Sequence, residues 1–234
     1  MTIKQTETHL LPFDVNPDDL PKFIAIEGPI GVGKTSLAKR MANAFHYESL
    51  LENADDNPFL SDFYEDQRQN ALATQLFFLF QRAKQLKTLH QDDLFDSRYI
   101  ADFMIEKDKL FAQATLNENE FDLYNQVFQQ LKVDAPKPDL VLYLQAPPQT
   151  LMQRINNRGI KSEQHIHADY LTRINEAYSS FFHYYDDAPL LIINAEQVDL
   201  INDEQAFISL VKYMLTIKNG RHYFNPTFFT EASA

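Results

Sequence analysis

Cysteine is absent from this 234-residue chain, which excludes disulfides, thiolate metal sites and cysteine nucleophiles. Positive charge is scarce. The chain has 21 lysines and arginines against 33 aspartates and glutamates, giving a formal net charge of -12 and a pI near 4.9. Nucleic acid and anionic lipid need basic patches, so neither is expected as a partner. An anionic ligand would need a local cationic pocket. No apolar run approaches the ~18 residues of a membrane span. No basic start leads into an apolar stretch, so no signal peptide is expected, and a cytoplasmic setting is. Repeats and low-complexity tracts are also missing. What is present is ample core material, 44% hydrophobic and 13% aromatic, in a length that suits one domain with appendages.

Glycine is rare too, with five residues in all. Three of them fall in one stretch, Gly28-Pro29-Ile30-Gly31-Val32-Gly33-Lys34-Thr35, followed by Ser36. This matches G-x-x-x-x-G-K-[ST] at every fixed position. The apolar run Phe23-Ile24-Ala25-Ile26 precedes it as a buried strand, and Leu37, Met41, Ala44 and Phe45 follow at helical spacing. The chemistry needs this context. Glycines let backbone N–H groups converge on an anion, and the helix N-terminus adds partial positive charge. Lys34 can reach the β- and γ-phosphates, and the Thr35 hydroxyl can ligate Mg²⁺.

The rest of the chain alternates strand and helix. Residues 1–22 are polar and proline-punctuated, an irregular leader. Glu48 to Glu52 reads as a second strand ending in an acid. At a strand's carboxyl end Glu52 could accept a proton from an attacking hydroxyl, although a solvated or capping residue is the commoner reading there. Helical sequence starts at Asn57, with Pro58 in its first turn, and a longer helix spans Gln69 to His90 with Leu72, Leu76, Leu79, Ala83 and Leu86 as its stripe. Gln75 and Arg82 share a face of it, either as solvated residues or as readers of a flat heterocycle. Arg98 to Phe103 is a third strand delivering Asp102, which either caps the next helix or binds Mg²⁺ through water. Helices follow from Glu106 and over Glu118 to Lys132. Pro138 to Leu144 is a continuous apolar strand, as a central parallel strand should be. The helix after it carries Arg154, Arg158 and then Gly159 and Lys161. Three cations within eight residues of an acidic chain read as a lid over phosphates, the alternative being a solvated basic helix end. His165 and His167 have no metal-spaced partners and read as surface. A helix over Asp169 to Tyr185, N-capped by Asp169, a fifth strand over Pro189 to Ile193 and a helix over Asp203 to Ile217 complete the pattern. From Lys218 the chain reads as irregular, with Tyr223, Phe224, Phe228 and Phe229 packing somewhere. The expected fold is α/β: a five-stranded parallel sheet flanked by helices over residues 23–217, with 218–234 as a tail.

From Phe23 to about Leu215 the chain resembles the deoxynucleoside kinases, most of all the bacterial deoxyguanosine and deoxyadenosine kinases. Beyond the phosphate loop, the likeness rests on ordered blocks: Asn57-Pro58-Phe59-Leu60 with Phe63 and Tyr64, then Thr74 to Leu79 with Arg82. Pro138 to Val141 with Ala146-Pro147-Pro148 follows. Arg154 to Gly159, Glu163-Gln164, Tyr170-Leu171 and Asn175 to Tyr178 complete the set.

The resemblance implies ATP-dependent transfer of a γ-phosphate to the 5′-hydroxyl of a deoxynucleoside, with a purine preferred, in nucleotide salvage. It implies Mg²⁺ as cofactor, ATP as donor and a homodimer. It gives Glu52 the part of general base. Tyr64 and Glu163 match the pair on the sugar 3′-hydroxyl, Gln75 the residue reading the base edge, and Arg82 its helix neighbour. Arg154 and Arg158 match lid arginines on the donor phosphates, and Asp102 the acid on the magnesium side. The chain departs from the pattern in three places. No arginine follows Asp102, where many members carry one. Ile160 stands where many have another lid arginine, leaving Lys161 as the nearby cation, a point charge instead of a planar fork. Asn53-Ala54-Asp55 replaces the usual Glu-Pro-Val. Two other readings remain: a nucleoside-monophosphate kinase on the same sheet, which would need an extra cationic pocket, and a non-catalytic nucleotide-binding subunit.

Overall fold

Successive apolar residues, in place of alternating ones, demand cover on both faces of a strand. Two segments meet that condition and lie at the centre of the fold: β1, Phe23–Glu27, and β4, Leu140–Gln145, which pair in parallel. In this computed structural model residues 15–89, 97–131 and 135–225 are described. The leader before residue 15, His90 and Lys132 at two helix ends, and Phe228 and Phe229 lie outside them.

After β1 come α1 (Lys34–Phe45), β2 (Glu48–Leu50), α2 (Leu60–Glu65), α3 (Ala71–Leu89), β3 (Tyr99–Ala101), α4 (Glu106–Thr115) and α5 (Glu118–Leu131). After β4 come α6 (Pro148–Arg158), α7 (Ala168–Tyr184), β5 (Leu190–Asn194), α8 (Glu204–Met214) and β6 (Arg221–Phe224). The sheet order is β2-β3-β1-β4-β5-β6, with every neighbouring pair parallel. Among the described residues the sheet therefore has six strands, not five. The chain after Lys218, expected to be irregular, supplies the sixth by pairing Arg221–Phe224 with β5. Only Phe224 of that strand is buried, so no apolar run announces it.

The chain leaves β1 towards β2 on one side and returns from β3 to β4 on the other. Strand order thus reverses beside β1, and a crevice opens at the carboxyl ends there. One core cluster fills the space between the sheet and α1, α6, α7 and α8. A second, with Leu79, Leu86, Tyr99, Phe103, Ile105, Ala112 and Tyr124, lies where α3, α4 and α5 meet.

Several boundaries move for local reasons. The N-cap position of α7 is His167, whose side chain makes no capping hydrogen bond, and Asp169 falls in the first turn, where its charge faces the positive helix end. α8 does have an aspartate cap: Asp203 accepts from the N–H groups of Gln205 (2.9 Å) and Ala206 (3.1 Å). Pro58 precedes α2 instead of entering it, in a turn where Asn57 Oδ1 accepts from Phe59 N (3.1 Å). Gly159, at φ 68, ends α6 in the left-handed region.

Candidate active site

The loop between β1 and α1 is shaped by close approach. Gly28 (φ 149) lies so near β4 that a Cβ would sit 2.5 Å from the Leu144 carbonyl oxygen. Lys34 folds back across the loop, and its Nζ donates to Pro29 O at 3.1 Å. Burial, with the nearby Lys107 ammonium, lowers the Lys34 pKa to about 8, against the opposing pull of Glu27, Asp102 and Glu52.

The loop forms one wall of a cavity. The cavity takes in Lys34 and Thr35 from α1, Glu52 beyond β2, and Tyr64 from α2. α3 contributes Gln75, Phe78 and Arg82, and the end of β3 contributes Asp102. Lys107 comes from α4, Arg158 from the last position of α6, and Glu163 from the α6–α7 connection. Gln75 and Arg82, which by spacing alone could have been solvated, are both 3% exposed.

Asp102 links three elements. Its Oδ1 accepts from Glu52 N (2.7 Å) and its Oδ2 from Thr35 Oγ1 (2.5 Å). It does not cap α4, whose N-cap position is Ile105. Glu52 lies two residues past the end of β2, its side chain 14% exposed and held by two cations. Arg82 Nη2 contacts its Oε1, and Lys107 Nζ lies 2.9 Å from its Oε2. Arg82 also pairs with Asp108 through Nη1. Burial alone would raise the Glu52 pKa, but Arg82 and Lys107 outweigh it and hold the carboxylate at about 2. Tyr64 is pushed the other way, well above 10, by burial and by nearby Tyr170, Glu163 and Glu52, so its hydroxyl keeps its proton.

The three cations expected to form a lid divide. Arg158 Nη2 pairs with Glu163 at 2.5–2.6 Å, and both line the cavity. Arg154 is outside it. Its guanidinium donates to Val32 O (3.3 Å) and Ala195 O (2.6 Å), behind the phosphate loop. There it lines a second groove with Gly33, Leu37, Val198 and Asn202. Lys161 opens a short 3-10 turn, Lys161–His165, is exposed, and lines neither. His165 and His167 are exposed, and no group of three or more metal-ligating side chains occurs among the described residues.

Residues 24–217 match the deoxynucleoside kinase family. The chain belongs to that family. It is 37% identical to a deoxyguanosine kinase of Bacillus subtilis (strain 168) over 157 residues, 67% of this chain and 76% of the relative. It is 27% identical to a deoxyadenosine/deoxycytidine kinase of the same organism over 208 residues, 85% of this chain and 94% of the relative. Its fold is that of a deoxyadenosine kinase from M. mycoides solved with bound dATP, with a TM-score of 0.70 at 24% identity over 82% of this chain and 99% of that one.

Within this kinase fold three site residues escape sequence reasoning. Lys107 and Asp108 are 6% and 1% exposed, yet they sit in Glu106-Lys107-Asp108-Lys109, a charge run that reads as a solvated helix start. Glu27, at the end of β1, is 1% exposed. It accepts from Met104 N (2.6 Å), Tyr178 Oη (3.0 Å) and Gly28 N (3.3 Å). It thereby ties the phosphate loop to α7 and to the segment after β3. A carboxylate in the last position of an otherwise apolar strand was the available signal.

Proposed function

We propose that this kinase transfers the γ-phosphate of ATP to the 5′-hydroxyl of a purine deoxynucleoside. The observation that carries the reading is the shared cavity. The phosphate loop and the half-buried Glu52 carboxylate face one space, whose far wall is Tyr64, Gln75, Phe78 and Arg82. Donor phosphates lie on the N–H groups of Gly28 to Gly33 and on Lys34, at the N-terminus of α1. The groove beside Arg154 takes the rest of the donor. The nucleoside lies between Phe78 and the loop. Gln75 reads its base edge, and Tyr64 and Glu163 hold its sugar.

Glu52 receives the 5′-hydroxyl proton. A carboxylate held near pKa 2 is a weak base, but a loose phosphoryl-transfer transition state makes the hydroxyl acidic only as the new bond forms. A weak base in the right place then suffices. Lys34 and Arg158 oppose the charge on the transferring group.

Thr35 Oγ1 and Asp102 Oδ2 are hard oxygen donors in contact beside the loop, a set that suits Mg²⁺ completed by phosphate oxygens and water. Bound there, the ion would supply charge neutralisation for the phosphates.

A specific observation favours a nucleoside over a nucleoside monophosphate as acceptor. The two cations on the acceptor wall are already matched: Arg82 by Glu52 and Asp108, and Lys107 by Glu52. The purine preference draws on the deoxyguanosine and deoxyadenosine kinases among the relatives. A homodimer and a cytoplasmic setting are part of the same proposal. No helix among the described residues is long and apolar enough to cross a membrane.

The test is phosphorylation of a panel with Mg²⁺-ATP: four deoxynucleosides, their ribo-counterparts, and dAMP, dGMP and dTMP. Turnover of deoxyguanosine or deoxyadenosine is expected. Turnover of monophosphates alone would move the chain to the neighbouring kinase class. ATP binding without turnover of any acceptor would make it a binding subunit.

A further inference from the structure

A buried lysine needs a reason, because removing an ammonium from water is unfavourable unless it is paired. Lys107 is 6% exposed and sits in the first turn of α4. The positive end of the helix disfavours a cation there, so helix stability does not explain it. Its neighbours do. Nζ lies 2.9 Å from Glu52 Oε2 and 5.5 Å from the centre of the Phe111 ring.

Lys107 ends a chain of alternating charge, Asp108–Arg82–Glu52–Lys107, that runs from the core into the cavity. Arg82 takes one oxygen of Glu52 and Lys107 takes the other, so the carboxylate is fixed at both ends. Among the described residues, no cation pairs with Glu52 from the end of β3. Phe103 follows Asp102 there, is 2% exposed, and packs in the second core cluster. The charge on that side of Glu52 therefore comes from α4.

We infer that Lys107 is a positioning residue for phosphoryl transfer: it holds Glu52 in line with the acceptor hydroxyl and balances its charge beside the incoming phosphates. The inference rests on the kinase reading above. Without Lys107 the carboxylate keeps Arg82 as its ion-pair partner, which already serves Asp108. One uncompensated negative charge then faces the phosphoryl group, and the base can turn away from the hydroxyl. Both effects act in the transition state more than on bound substrates, so the loss belongs in kcat.

The experiment compares wild type, Lys107→Met and Lys107→Arg as full-length chains, with deoxyguanosine and deoxyadenosine as acceptors. Methionine should lower kcat and the single-turnover rate by ~10²-fold, the scale of losing one preorganised charge in an active site. KM for nucleoside and for ATP should each move by less than ~3-fold, as expected when the lost interaction is made only in the transition state. Arginine, which keeps the charge, should recover activity to within ~10-fold of wild type, its bulk accounting for the rest. If methionine prevents folding, Lys107→Gln takes its place and must show the same split.

A wild-type rate in the neutral variant would overturn the inference and leave the kinase reading intact. So would an arginine variant as slow as the neutral one, or a loss confined to KM. A wild-type chain that phosphorylates no nucleoside would overturn both.

Discussion

Glu52 is a residue whose surroundings decide its chemistry. Buried without partners, a carboxylate would hold its proton at neutral pH; between Arg82 and Lys107 it is ionised throughout the physiological range. Glutamine has the same shape, keeps an oxygen for Arg82 and cannot take a proton. Glu52→Gln is therefore expected to bind ATP within a few-fold of wild type and to turn over ~10²–10⁴-fold more slowly, the usual worth of a positioned base. Calorimetric titration with ATP beside a steady-state assay checks both halves, and undiminished turnover would remove Glu52 from the role of base. Glu52 was legible in the sequence only through its surroundings. Its position after a strand suggested an acid at the crevice, and the blocks from Asn57 to Arg82 gave the acid a part to play. Lys107 had no such help. Its neighbours alternate in charge along the chain, and its burial is decided by the packing of α4 against α3 and α7, which no local pattern encodes.

At the scale of elements, the phosphate loop depends on the helix behind it. Gly31 has φ 83, and a Cβ there would lie 2.9 Å from both the Leu151 carbonyl oxygen and Ile155 Cγ1 of α6. Gly33 has φ 105 with nothing within 4 Å of its would-be Cβ. The two alanine variants should therefore differ. Gly33→Ala meets only the left-handed backbone penalty, ~1–2 kcal/mol. Gly31→Ala adds a clash with backbone, so α6 or the loop must shift, and its loss of stability should exceed that of Gly33→Ala by ~1–3 kcal/mol. Because α6 also carries Arg154 and Arg158, Gly31→Ala should raise KM for ATP more than KM for the nucleoside. Urea melts and a pair of KM measurements test this, and equal stability of the two variants would mean that the loop does not lean on α6. The sequence motif marked both glycines for phosphate binding; the contact that separates them is tertiary. The same distinction explains the strand count. β1, β4 and β5 are apolar runs and were readable as strands, whereas Arg221–Phe224 is an edge strand with one buried side chain, and pairing with β5 makes it a strand. β2 is the opposite edge, with no buried residue, and was found because it falls between two helices.

The whole molecule carries a net charge of -12 and buries a carboxylate, Glu27, that its environment holds above the ordinary range. Burial raises that pKa, and Lys107 and Lys34 only partly offset it. Stability should therefore depend on pH in a definite direction. Above its folded pKa, Glu27 is ionised in both states and the native state bears the full cost of burying it. As pH falls through that pKa towards the model-peptide value of 4.5, the folded chain binds the proton first and the cost is relieved. Self-repulsion fades over the same interval as the net charge approaches zero near pH 4.9. Lys34 works against folding while charged, but its pKa of about 8 leaves that cost nearly constant below pH 7.5 or so. Glu52 has the opposite sign: its contribution is complete above 4.5 and is lost as pH falls from there to about 2. The urea midpoint is therefore expected to rise from pH ~7.5 to ~5.5 and to fall below ~4. Salt separates the two sources of the rise. It screens surface repulsion and leaves a buried group almost untouched, so ~0.5 M NaCl should lift the midpoint more at pH 7.5 than at 5.5 and shrink the rise without abolishing it. A midpoint that drops steadily from pH 7.5 to 5.5 would mean that the ionised Glu27, with its three donors, stabilises the fold more than its burial costs. A rise that vanishes in salt would assign the whole effect to the surface.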